Sequence, residues 1–199
     1  MYGSTITDIR DLTDSDPAAD LPLRIVKRRE FFGHIIKAAT ATEATTFLSA
    51  LPCRRSPGHV RCSGSIAVEK SDAYPGPFIY WSCTRCGDNG RIAGYHGCRY
   101  DLERPASKTS TDPDDPWLEV PLTLSEYRAW ISGDMIPYDL DSLRLIYAVR
   151  VDRDQVTLAG FESDIDPLHE AVAADGNHER KPARRMLLQA IFEKLKALG

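Results

Sequence analysis

All five cysteines of this 199-residue chain fall between positions 53 and 98, and that crowding constrains the fold more than any other feature. The number is odd, and the opening MYGSTITDIRDLTDSDPAAD is acidic and polar, without the apolar centre of a secretory signal. A disulfide framework is therefore not expected, and clustered thiols in a reducing compartment point to metal or redox chemistry. Cys83-Thr84-Arg85-Cys86-Gly87 is the strongest motif. Two thiolates separated by two residues can share one tetrahedral zinc, and a following glycine lets the backbone turn N–H groups toward the sulfurs. A thioredoxin-like dithiol needs its CxxC at a strand-to-helix junction, whereas the turn-forming Gly87-Asp88-Asn89-Gly90 follows here.

Half a zinc site needs another half. Cys53 and Cys62 are in range, separated by eight residues that include the turn former Pro57-Gly58. His59 competes with Cys53, because His59 and Cys62 repeat the two-residue gap, and zinc accepts either ligand set. Thiolates suit a closed structural site and a helix ending at Pro52 would deliver Cys53 to it, so the expected ligands are Cys53, Cys62, Cys83 and Cys86. Cys98 is a further candidate ligand or a small half-buried thiol.

The expected fold class is α+β. Residues 1–22 read as a disordered acidic leader. Thr40 and Glu43 have capping-box spacing, with Ala44, Phe47, Leu48 and Leu51 on one face, which predicts a helix from 40 to 51. Residues 65–69, 77–82 and 91–95 read as three short strands, so that 53–102 forms a small three-stranded sheet within a unit at 23–104. The Pro- and Asp-rich stretch 105–116 reads as a linker. A second unit at 117–199 should carry a strand from Trp117, a helix capped by the Thr123 and Glu126 box, and a hairpin of 143–151 with 155–161. A helix N-capped by Ser163 follows, broken at Gly176-Asn177, then a last helix with Pro182 in its first turn.

The string Trp81-Ser82-Cys83-Thr84-Arg85-Cys86-Gly87-Asp88 makes residues 53–102 resemble a zinc ribbon. More particularly, the chain resembles a group of uncharacterised bacterial zinc-ribbon proteins that pair an arginine-rich C-x8-C loop with W-x-C-x2-C-G-D. They end in a domain with Asn-His-Glu before a final helix, here Asn177-His178-Glu179. The resemblance implies zinc binding and brings no activity with it.

The net charge of −4 excludes a strongly basic protein that coats nucleic acid, yet the charge is segregated. Residues 53–104 hold eight basic and five acidic groups, 117–179 four and thirteen, and 180–199 six and one. Arg54, Arg55 and Arg61, with Arg85, Arg91 and the aromatics Tyr80, Trp81, Tyr95 and Tyr100, have the make-up of a surface for single-stranded nucleic acid or an acidic protein. The same arginines would also offset the negative charge of a four-thiolate zinc, and the aromatics would also fill a small core. Phosphate-cradling glycine loops and the GxSxG nucleophile elbow are absent. A soluble cytoplasmic binding or adaptor module with Zn2+ is the expectation. The alternative is an enzyme or toxin-like factor with a site near His169, His178 and Glu179, between the two units. No apolar run is long enough to span a membrane.

Overall fold

The computed structural model describes residues 5–13, 21–73, 76–103, 112–133 and 139–198. The fold is mixed α+β, and the chain divides into two compact units, Met1–Arg104 and Pro105–Gly199.

In the first unit, β1 (Thr5–Asp8) and the short α1 (Arg10–Thr13) precede α2 (Leu23–Thr40). Four strands follow: β2 (Thr46–Pro52), β3 (Ser65–Ser71), β4 (Phe78–Cys83) and β5 (Asn89–Ala93). They form one five-stranded sheet ordered β1-β5-β4-β3-β2, antiparallel except where β1 runs parallel to β5. The three strands read from the sequence are its middle. Strand alternation places Ile66 and Val68 of β3, Ile79, Trp81 and Cys83 of β4, and Ile92 of β5 among the buried residues. Phe32, Ile35, Ile36 and Ala39 of α2 recur at helical spacing and are buried too, with Phe31 and Phe32 set against the Trp81 ring.

Two expectations are overturned here. The helix predicted from Thr40 to Leu51 is a strand over Thr46–Pro52, because Thr40 closes the preceding helix rather than opening a new one. Its hydroxyl donates back to the Ile36 carbonyl at 3.0 Å and accepts from the Leu102 N–H at 3.1 Å. The predicted disordered leader is ordered over residues 5–13. Thr5 to Asp8 pair with Gly90 to Ala93, and Ile9 is fully buried.

The second unit holds β6 (Trp117–Thr123), α3 (Leu124–Ile131), α4 (Leu140–Tyr147), β7 (Arg150–Asp152), β8 (Gln155–Phe161), α5 (Glu162–His178) and α6 (Pro182–Lys196). The sheet order is β6-β8-β7. Val120 faces Leu158 and Leu122 faces Val156 in register, and all four are buried. The capping box forms as read: the Glu126 N–H donates to Thr123 Oγ1 at 3.1 Å, and the Thr123 N–H donates to Glu126 Oε2 at 2.6 Å.

Three local readings in this unit are corrected. Residues 143–147 are helical, because Asp139 caps α4 by accepting from the Ser142 N–H at 2.7 Å, and the first strand of the hairpin shortens to Arg150–Asp152. Ser163 lies inside α5, where its hydroxyl donates to Asp115 at 2.7 Å. Gly176 and Asn177 do not interrupt α5, which runs on to His178. Most of the expected linker, 105–111, lies outside the described residues; 112–116 turn into β6.

Candidate metal centre

Four chain segments meet at one end of the five-stranded sheet. Cys53 follows the last residue of β2, Cys62 closes the loop of residues 54–61, Cys83 ends β4, and Cys86 sits in the turn toward β5. The sheet thus delivers Cys53 by a strand, not by the predicted helix. The loop is closed by the Cys53 N–H to the Gly64 carbonyl at 3.0 Å and the Cys62 N–H to the Arg55 carbonyl at 2.9 Å. Its tip turns through Pro57–His59, with Gly58 and His59 both at positive φ.

The four sulfurs all lie within 4.8 Å of one another, with Cys53 to Cys86 at 3.6 Å and Cys62 to Cys83 at 3.7 Å. A regular tetrahedron of sulfurs, each about 2.3 Å from a central ion, has edges of about 3.8 Å. The cluster therefore has the size of a four-thiolate site and is compatible with zinc. Backbone N–H groups point at the sulfurs from two residues on: Arg55 to Cys53, Gly64 to Cys62 and Arg85 to Cys83, each at 3.4 Å, while the Cys86 N–H reaches Cys83 at 3.5 Å. Such donors stabilise thiolate charge. Burial pushes the Cys83 thiol up, but the Cys86 and Arg85 N–H groups outweigh it and bring the group down to about 7. Burial raises Cys53 well above its usual range. Gly64 is sterically required, since a Cβ there would run into Cys83 Sγ and the Arg85 backbone.

His59 is exposed and does not belong to the cluster, nor does half-buried Cys98. Among the described residues this is the only group of three or more His, Cys, Asp or Glu side chains placed to share an ion.

The arginine and aromatic surface is rearranged. Trp81 is only 2% exposed, with Phe31 packed edge-on at 5.3 Å, so it offers no face to a ligand. Tyr95 and Tyr100 are buried as well. Arg54 is drawn into this ring cluster, its guanidinium 5.2 Å from the Phe31 centroid, 5.5 Å from Phe32 and 5.3 Å from Trp81. Its Nε donates to Asp88 at 3.2 Å, joining the two cysteine loops. Arg85 donates to Ser63, and Arg91 lies over Phe78. Arg55 and Arg61 remain exposed.

In the second unit, His169 and His178 both lie on α5, nine residues and so about 13 Å apart along the axis. His169 stacks on Phe192 at 4.3 Å, and His178 is exposed at the helix end. Glu179 is held by Arg184, which also pairs with buried Asp175 and donates to the Ala129 carbonyl at 2.9 Å. Arg184 thus ties α5, α6 and α3 together. Gly133 makes room for it, since a Cβ there would meet Arg184 and Asp175.

No helix among the described residues is long and apolar enough to cross a membrane. Comparison of the chain with protein families, with curated proteins and with solved structures finds no match.

Proposed function

We propose that the first unit is a zinc-organised binding module in which Cys53, Cys62, Cys83 and Cys86 hold one Zn2+. The observation that carries this is four sulfurs within 4.8 Å of one another, three of the cysteines buried and each sulfur approached by backbone N–H donors. A site closed by four protein thiolates leaves no position for a substrate, so the ion's work is structural. What it builds is the loop at 54–61, which has no buried side chain of its own and carries Arg55 and Arg61 into solvent. An anionic partner of that loop is the reading supported by its charge. For the alternative enzyme, the separation of His169 from His178 and the capture of Glu179 by Arg184 leave no convergent acid–base pair.

Elemental analysis of purified protein should find about one zinc per chain. Cys53→Ser should lose it, whereas His59→Ala and Cys98→Ser should keep it. Iron in place of zinc would reassign the ion, and metal-free folded protein would remove the proposal.

A further inference from the structure

Two basic clusters that lie far apart in sequence become neighbours in the first unit. Lys27, Arg28 and Arg29 sit on α2, while Arg54, Arg55 and Arg61 flank the metal centre. The guanidinium carbon of Arg28 is 5.5 Å from the Phe32 ring centroid, and that of Arg54 is also 5.5 Å from it, so the two lie within twice that distance of one another. Arg24 and Lys27 occupy the same helical turn as Arg28 and are exposed, as Arg55 and Arg61 are on the loop side. Among the described residues, Arg24, Lys27, Arg29, Arg55 and Arg61 form no ion pair. Of the two carboxylates on these segments, Asp88 is taken up by Arg54, and Glu30 is exposed on α2.

We infer that Arg24, Lys27, Arg28, Arg54, Arg55 and Arg61 form one cationic strip that binds the phosphate backbone of a nucleic-acid strand. This deepens the proposed binding role of the zinc module and rests on it, since the loop half of the strip is anchored at both ends by cysteines of the metal centre, with two backbone hydrogen bonds and the Arg54–Asp88 link beside them. The strip is almost all arginine, whose planar fork matches phosphate oxygens and whose charge persists at every physiological pH. A protein interface needs an apolar or aromatic anchor at its centre, and here Phe32 and Trp81 are buried, leaving Val60 as the exposed apolar side chain of the loop. Interfaces with nucleic acid are more polar and more positively charged. Trp81 and Tyr95 are inside the core, and Tyr80, 37% exposed, lies on the face of β4 opposite Trp81 and so away from the strip; with no exposed aromatic beside the arginines, binding is set by phosphates and is indifferent to base identity.

Fluorescence anisotropy of zinc-loaded protein with labelled oligo-dT and oligo-dA, titrated with salt, tests this. Both oligonucleotides should bind alike, with affinity falling steeply between about 50 and about 200 mM salt. Arg55→Ala with Arg61→Ala, and separately Arg24→Ala with Lys27→Ala, should each flatten the log–log slope by about 1.4, two contacts at about 0.7 apiece. If only the loop pair changes the slope, the joined strip is overturned. Absence of binding at low salt overturns the nucleic-acid partner, as does equal affinity for poly-glutamate, which points to an acidic protein. Zinc content measured on the same samples separates these failures from failure of the zinc module itself.

Discussion

At the cysteine-bearing end of the first unit, residues 53–64 form one loop with a single aliphatic side chain larger than proline, Val60, which is 72% exposed. Apart from the Arg54 stack on the core rings, no side chain of that loop between its cysteines is packed inward; the cysteines fix both its ends. The second unit is closed differently. Tyr127, Trp130, Ile146, Leu188 and Ile191 fill its centre, and Arg184 links three helices through a buried ion network. With an ion held by the four thiolates, as proposed, one region would concentrate its stability in a single ligand whose binding is coupled to local folding, whereas the other spreads it over many contacts. The first should therefore fail all at once, the second by degrees.

Chelation should produce the largest effect. Structural zinc contributes binding free energy on the order of 10 kcal/mol in small domains, all of it coupled to folding. Amide exchange protection should vanish across residues 53–64 and 83–89 and persist across α3, α5 and α6. Equal loss in both units would break the contrast.

Arg184→Ala comes next. It leaves Asp175, 6% exposed, without its partner, and an unpaired buried charge costs about 3 kcal/mol or more. Thermal or urea unfolding should show the second unit weakened while zinc content is unchanged.

Arg54→Ala should then sharpen the picture of the first unit. It removes the link from the Cys53 loop to Asp88 and the stack on Phe31, Phe32 and Trp81, worth between about 1 and about 2 kcal/mol for a side chain still 27% exposed. Competition with a chromophoric chelator should show weaker zinc binding, and Arg54→Lys should not restore it, because an ammonium cannot stack as a plane.

The smallest effect is expected from Glu126→Gln, about 1 kcal/mol through the capping box. Burial raises the Glu126 carboxyl, but Lys194 at 2.8 Å and the Thr123 N–H outweigh it and hold the group below its ordinary 4.5. A carboxyl lowered in the folded state stabilises fully above its unfolded value and loses that contribution as pH falls through the folded one. The difference between wild type and variant should be constant from neutrality down to about pH 5 and shrink below it.

Much of this was legible in the chain itself. Cysteine crowding and the CxxC-Gly sequence mark the four-sulfur cluster, because thiolate ligand geometry demands short local spacings that survive in one dimension. The Thr123 and Glu126 capping box, the alternation of β6 and the proline at the start of α6 are equally local. What tertiary structure decided is everything that depends on a distant partner. Thr40 has the residues of a helix start, yet the Leu102 N–H and the Ile36 carbonyl claim its hydroxyl and make it an end. Residues 5–8 have too little apolar content to hold a structure alone and become a strand only because β5 offers an unpaired edge. Arg54 and Trp81 look like surface in a list of charged and aromatic residues. Only the packing of α2 on the sheet buries the indole and folds the guanidinium against it, because side-chain exposure is a property of neighbours rather than of residue type.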